Sequence, residues 1–308
     1  MASSSRPAPA SSTVLALFGP TASGKTAVAG LLRERLAAVV VSADSAALYA
    51  GLPILTAAPP YPARLVGSVP LGEEVSVGSY RQLAHAAIDE IVEQGKLPVV
   101  VGGTGLYLRA ALARLDLPPA VTGERRAFWE SEYVRLGPDG AHSLLVARDA
   151  VAAARVHAND RKRVVRALEL ADAGSSLAPS GDRLWSAETR LPTTVVALDV
   201  PLDVLDRRIE ARTREMVERG AVAEAREAWA AKRSQTASQV LGLEEFATLP
   251  EEDAVERVTS ATKRLARYQR KWLRRMPGAV TLDGDRPAGV IADEIVALER
   301  PGERLPRH

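Results

Sequence analysis

The sequence predicts an α/β fold: a parallel sheet flanked by helices, with a small all-helical insertion. Three observations carry that expectation. Short apolar segments at residues 13–18, 38–42 and 97–101 alternate with helical periodicity over residues 25–36 and about 80–94, the pattern of strands buried on both faces. From about 118 to 159 the chain turns charged and helical without a strand signal, and a strand resumes at 193–199. The first apolar segment runs directly into Gly19-Pro20-Thr21-Ala22-Ser23-Gly24-Lys25-Thr26, placing this glycine-rich loop between a strand and a helix.

That context is the one a phosphate-binding P-loop requires, because glycines let successive backbone N–H groups turn onto phosphate oxygens at a helix N-terminus. Lys25 adds a mobile positive charge and Thr26 offers a hydroxyl to Mg²⁺. The fold class is therefore a P-loop NTPase-like parallel sheet. Its core is expected in residues 13–117 and 160–290, a helical insertion in 118–159, a disordered tail in 1–12 and a C-terminal tail in 291–308. Within the second core segment, 174–192 is rich in Gly, Ser and Pro and reads as a loop. Residues 202–232 and 251–276 read as helices, and 280–283 as a last strand.

Composition narrows the classes of function. With 308 residues and 46% hydrophobic content the chain can bury a large core. Forty Lys and Arg stand against 38 Asp and Glu, a surplus too small to argue for nucleic acid without local clustering. Absence of cysteine excludes disulfides, Cys-ligated zinc and thiol catalysis, and suits a reducing cytoplasm. The first dozen residues are Ser, Ala and Pro with no apolar run, unlike a signal peptide, and no stretch reaches the roughly 18 to 20 apolar residues of a membrane helix.

Two further motifs fall at strand ends, where ligands of parallel sheets bind. Residues 42–49 (SADSAALY) place Asp44 and Ser45 after the second strand. Asp44 reads either as a general base or holder of Mg²⁺-bound water, or as a helix N-cap before Ala46-Ala47-Leu48-Tyr49. After the third strand, Gly102-Gly103-Thr104-Gly105 allows close backbone approach. Thr104 can donate to a phosphate or to Asp44, and the alternative is a tight strand-to-helix turn.

Basic residues cluster twice. Arg161, Lys162, Arg163 and Arg166 form one group; Lys263, Arg264, Arg267, Arg270, Lys271, Arg274 and Arg275 form a stripe spaced by three and four along one helix. Such a stripe either tracks phosphates or is a solvated face with internal salt bridges. Tyr268 and Trp272 within it read as core anchors.

The motifs GPTASGKT, SADSxxxY, VGGTGLYLRAL, Asn159-Asp160-Arg161-Lys162-Arg163-Val164-Val165-Arg166, Arg208–Met216, Gln239–Glu245 and Lys263–Trp272, in this order and spacing, resemble the tRNA dimethylallyltransferase (tRNA isopentenyltransferase) family over about residues 13 to 285. The resemblance implies transfer of a dimethylallyl group from dimethylallyl diphosphate to N6 of the adenosine 3′ to the anticodon. It implies that residues 19–26 hold the diphosphate, with Mg²⁺ at Thr26. Asp44, Thr104 and Arg212 would be catalytic, with Arg208 beside Arg212 clamping the diphosphate. Asp44, Ser45, Ala46, Ala47, Lys162, Arg163 and Arg166 would meet the tRNA anticodon loop, and the insertion would serve tRNA binding. The expected protein is a cytoplasmic monomer. Ala47 stands where the family carries Gln, Leu243 where it carries Tyr, and residues 55–67 depart from the family pattern. A second expectation is thus a divergent prenyltransferase acting on another adenine acceptor, or inactive. A third, from the P-loop alone, is a small-molecule kinase using Asp44 or Asp199 at Mg²⁺.

Overall fold

The computed structural model describes residues 14–115, 123–177, 188–276 and 278–299. The expected tail at 1–12 lies outside them. Two compact units are formed, one from Met1–Arg114 with Ala187–His308 and one from Leu115–Ser186.

The first unit is built on five parallel strands, β1 (Val14–Phe18), β2 (Val39–Ser42), β3 (Pro98–Gly102), β4 (Thr193–Asp199) and β5 (Val280–Asp283), in the order β2-β3-β1-β4-β5. β1 to β4 were legible as apolar runs, since strands covered on both faces have no polar side to interrupt them, whereas β5, an edge strand with only Leu282 buried, carries a weaker signal. Residues alternate between faces. Leu15, Leu17, Val40, Val99, Val196 and Leu198 join one cluster with Val28, Ala29 and Leu32 of α1 (Lys25–Arg35). The opposite face meets α2 (Val77–Glu93), α3 (Gly105–Leu112) and α10 (Glu251–Leu273). Between β4 and α10 lie α7 (Leu202–Glu218), α8 (Ala221–Ala230) and α9 (Leu243–Thr248).

The expected C-terminal tail is corrected by α11 (Ala288–Glu299). Its Ile291, Ala292, Ile295 and Val296 are spaced for one helical face and close the cluster over α1 and Leu282. Without α11 that apolar surface would face water. Only residues 300–308 of the expected tail lie outside the described residues.

The second unit contains α4 (Gly123–Arg148), α5 (Ala150–Ala153) and α6 (Arg161–Asp172). Helix α4 breaks at Gly137, whose φ of 72° precedes Pro138; the proline lacks the N–H and rejects a helical predecessor. Trp129, Tyr133 and Leu145 of α4 pack with Val164, Val165 and Leu168 of α6. Fully buried Glu169 is held by Arg126 Nε at 3.1 Å and Arg166 Nη1 at 3.0 Å. The core segment expected to restart at residue 160 therefore restarts later: α6 belongs with the helical unit, because its apolar face has its partners there. Residues 178–187 of the expected loop lie outside the described residues; 174–177 and 188–192 form neither helix nor strand.

One contact binds α3 to α10 so closely that glycine is required. A Cβ on Gly105 would lie 1.9 Å from the Trp272 ring, which is buried. Gly105→Ala is expected to destabilise the protein by about 1–3 kcal/mol as an overpacking substitution, read from urea denaturation followed by tryptophan fluorescence.

Candidate active site

The loops after β1, β2 and β3 converge at the carboxyl edge of the sheet. After β1 the chain turns through positive φ at Ala22 (63°) and Gly24 (87°) before α1 begins at Lys25. Helix α1 has no side-chain cap, so its leading N–H groups and dipole face an anion site. Lys25 Nζ folds back onto Pro20 O at 2.6 Å and Ser23 Oγ at 3.4 Å. Gly24 and Thr26 are exposed and Ser23 is buried.

Two outside elements pin this loop. Arg212 on α7 donates from Nη2 to Thr21 Oγ1 at 2.7 Å, and Gln269 on α10 accepts the Thr21 N–H on Oε1 at 2.7 Å. Arg212 Nε is buried without a partner among the described residues, a donor left for a ligand. Arg208, on the same face of α7 one turn before Arg212, is paired with Asp285 at 2.6 Å and also lines the pocket beside the P-loop.

Asp44 follows β2, whose end is fixed by the buried Tyr80 hydroxyl donating to Ser42 O at 3.0 Å. Asp44 Oδ1 accepts the Ala46 N–H at 2.9 Å, and residues 45–48 form turns. The capping alternative thus survives as an Asx turn, without the helix. Oδ2 makes no hydrogen bond among the described residues. Thr104 precedes α3, and among the described residues its hydroxyl accepts no N–H of that helix and makes no hydrogen bond to Asp44.

Two cavities open on these residues. The first, about 560 Å³, is lined by the P-loop from Thr21 to Ala27, with Asp44, Ala47, Tyr61, Arg212 and Arg219 among its walls. The second, about 430 Å³, is lined by Asp44, Ser45, Ala46, Thr104, Tyr107 and Arg212, with apolar Met216, Phe246 and Leu265. Thr21, Asp44, Thr56, Ala57, Arg212 and Gln269 line both. Of the expected site residues, Asp44, Thr104, Arg212, Ser45, Ala46 and Ala47 are brought together around the P-loop. Lys162, Arg163 and Arg166 lie on α6 in the helical unit. There Arg166 bonds Glu169 and Arg163 bonds Asp160, and Lys162 is exposed.

The charge balance favours an anion. Burial pulls Lys25 down to about 7; nearby Asp44 opposes this and Arg212 adds to it. Burial also lowers the Arg212 pKa, again opposed by Asp44. Asp44 offsets both cations and Glu215 offsets Arg212 as well, and a bound diphosphate would favour the charged form of Lys25. Tyr107 is raised to about 12, by burial first and then by Tyr49 and Asp44, and stays a neutral hydroxyl donor at pH 7.

Three supports were not read as functional from the sequence. Gln269 is a polar residue on the buried face of α10, between Ala266 and Trp272, and that misplaced polarity was its signal. Glu224 on α8 accepts the N–H groups of Ile54 and Leu55 at 2.8–3.1 Å, fixing the segment that carries Thr56 and Ala57 to both cavities. Glu74 accepts from the Gln235 and Thr236 N–H groups and the Thr236 hydroxyl, while Thr236 Oγ1 lies 2.5 Å from Tyr49 Oη. The last two join chain segments more than 150 residues apart and have no sequence pattern.

Residues 47–276 match the family model described as IPP transferase. The chain belongs to the IPP transferase family. It is 40% identical over 278 residues to a tRNA dimethylallyltransferase of Anaeromyxobacter sp. (strain Fw109-5), covering 86% of this chain and 92% of that one. It is 38% identical to a tRNA dimethylallyltransferase of Salinispora arenicola, covering 94% and 87%. The full-length tRNA isopentenylpyrophosphate transferase of Bacillus halodurans superposes with a TM-score of 0.67 at 29% identity, covering 94% of this chain and 95% of that one. A eukaryotic dimethylallyltransferase acting on tRNA gives 0.74 at 25% identity, covering 94% and 81%. The P-loop α/β core and its helical insertion are thus those of the IPP transferases.

In this IPP transferase Lys25 loses its proton above about pH 7, whereas a bound diphosphate favours the charged form. Binding above that pH must therefore take up a proton, and affinity is expected to fall up to tenfold per pH unit between about pH 7 and 9. Calorimetry in two buffers of different ionisation enthalpy reads that uptake at pH 8, and Lys25→Met abolishes it. Glu224→Ala leaves two backbone N–H groups without their acceptor and is expected to cost about 1–3 kcal/mol, measured by urea unfolding.

Proposed function

We propose that this chain transfers a dimethylallyl group from dimethylallyl diphosphate to N6 of the adenosine 3′-adjacent to the tRNA anticodon. The observation that carries the reading is the common wall of the two cavities: Asp44 and Arg212 face both. A diphosphate on the P-loop and an adenine in the second cavity would meet across them. The acceptor base must leave its stack to enter.

In the proposed reaction the N6 lone pair bonds to C1 of the dimethylallyl group as the C1–O bond to diphosphate breaks. The N6 proton passes to Asp44, which lines both cavities and whose Oδ2 makes no hydrogen bond among the described residues. Lys25, Arg212 and the leading N–H groups of α1 take up the charge that grows on the departing diphosphate. Thr104 and Tyr107 would orient the base by hydroxyl donation, and Ser45, Ala46 and Ala47 would border it.

Mg²⁺ belongs to the same proposal. No cluster of three or more metal-binding side chains occurs among the described residues, while Thr26 presents an exposed hydroxyl at the P-loop. That sparse set fits an ion held mainly by substrate phosphates and water, as Mg²⁺ prefers. Thr26 would be its protein ligand, and the ion would supply charge neutralisation at the diphosphate.

The kinase alternative is less well supported. Asp199 is bonded through both oxygens to Arg270, at 2.8 and 3.3 Å, and β3 ends in Gly102 with no carboxylate. None of the helices among the described residues is long and apolar enough to cross a membrane, and we place the reaction in the cytoplasm with a monomeric enzyme. Incubation with tRNA, Mg²⁺ and dimethylallyl diphosphate should yield N6-isopentenyladenosine by nucleoside mass spectrometry. Asp44→Asn should lower kcat about 10²–10⁴-fold with diphosphate binding retained. Absence of product from the unaltered protein would overturn the proposal, and tighter binding of ATP than of dimethylallyl diphosphate would favour a kinase.

A further inference from the structure

Tyrosines of the core unit sort by burial. Tyr268 on α10 is 54% exposed, which overturns its reading as a core anchor, while Trp272 is buried as expected. Tyr49 is 3% exposed, yet it lines the second cavity together with Asp44, Thr104, Tyr107 and Thr236. It closes the segment 42–49 that starts at the end of β2, so one short stretch brings both Asp44 and Tyr49 to the same cavity. The backbone there is pinned by a bridge between Tyr49 and Val69 and by the Tyr49 N–H on Ala46 O at 3.2 Å. A hydroxyl at the end of a buried ring needs a partner, and the partner decides which way its hydrogen points.

That direction is set by Glu74. A carboxylate only accepts, and Glu74 takes the Gln235 N–H on Oε1 at 2.6 Å and the Thr236 N–H and hydroxyl on Oε2 at 3.2 and 2.6 Å. The Thr236 hydroxyl hydrogen is thus committed to Glu74, and Thr236 Oγ1 can only accept from its other neighbours. The nearest of these is Tyr49 Oη at 2.5 Å, with the Val75 N–H and the Ser234 hydroxyl farther off at 3.3 Å each. The single hydroxyl hydrogen of Tyr49 is therefore spent on Thr236, and its oxygen offers the cavity lone pairs alone. Tyr107 differs, because its hydroxyl makes no hydrogen bond among the described residues and keeps its hydrogen for a ligand. Burial first, then Tyr49 and Asp44, hold that proton on Tyr107, which sets the three groups near one another.

We propose that Tyr49 determines base specificity: its oxygen, held as a pure acceptor by Thr236 and Glu74, takes an N–H of the adenine amino group. That group carries two hydrogens, of which one passes to Asp44 in the reaction above and the other is held by Tyr49. A purine with a carbonyl at the same position would set lone pair against lone pair, and one with no substituent there would leave the Tyr49 oxygen unmet. Unpaired buried polar groups are what make a hydrogen-bonding site reject an analogue. Glu74 and Thr236 are positioning residues, since they act through Tyr49. The inference rests on the tRNA reading above and adds to it how the amino group is recognised.

The test measures binding of the full chain, with Mg²⁺ and inorganic diphosphate present, to fluorescently labelled anticodon stem-loops by anisotropy. The loops carry adenosine, inosine or unsubstituted purine 3′ to the anticodon, and the unaltered protein is expected to prefer adenosine. Tyr49→Phe keeps the ring and should lower that preference about 2–12-fold, the range of one neutral hydrogen bond. Thr236→Val should lower it as well, because the Tyr49 hydrogen is then free to point into the cavity, whereas Thr236→Ser keeps the chain and the preference. A purely structural role would weaken all three loops alike. Preference ratios in Tyr49→Phe equal to those of the unaltered protein would overturn the assignment, whether or not Thr236→Val folds, and so would equal binding of the three loops by the unaltered protein. Failure of the unaltered protein to bind any loop or to form isopentenyladenosine would overturn the parent reading together with this one.

Discussion

Lys25 and Arg212, two largely desolvated cations beside Asp44, set the terms for the rest of the core unit. Lys25 and Arg212 are brought from the first turn of α1 and the middle of α7 to within reach of Asp44. Burying positive charge without enough negative charge is costly, so the surrounding structure must be over-determined to hold it. Thr21 is the clamp point: Arg212 bonds its hydroxyl and Gln269 its N–H. The P-loop is thus fixed from two helices that enter the chain about 190 and 250 residues later.

The second layer of supports holds the walls rather than the reacting groups. Glu224 and Glu74 accept main-chain N–H groups of segments 54–55 and 235–236, which have no regular partners of their own, and Tyr49 pairs with the Thr236 hydroxyl. Buried or half-buried main-chain donors demand acceptors, and carboxylates supply them with charge-assisted strength. The segment from Leu55 to Gly67, where the sequence departs from the family pattern, is anchored by Glu224 at Leu55, by the Tyr61 hydroxyl on Thr26 O and by main-chain bonds of Arg64 to Val40 and Gly67 to Ala47, so altered side chains there sit on a fixed frame.

The basic residues show how one linear pattern serves two ends. Five cations at helical spacing on α10, with Arg274 and Arg275 just past its end, satisfied both an RNA-tracking and a salt-bridged reading. The carboxylates Glu210, Asp206 and Asp199 on α7 and β4 claim one face and leave the other exposed. In the helical unit, Arg166 likewise neutralises buried Glu169 with Arg126.

By itself the sequence determined the five strands, the P-loop and the strand-end positions of Asp44 and Thr104. These are local facts: apolar runs bury, and a Gly-rich turn between strand and helix has few conformations to choose from. It did not determine the partner of any long side chain. Arg208 and Arg212 lie four residues apart with equal claims, and only the packing of α7 sends one to Thr21 and the other to Asp285. Tyr268 and Trp272 have the same spacing, yet only Trp272 finds a glycine to rest on. Residues 160–172 and 291–299 went to the wrong side of their boundaries because the surface that buries a helix belongs to another segment. Those choices depend on which face meets which neighbour, and the tertiary structure alone decides that.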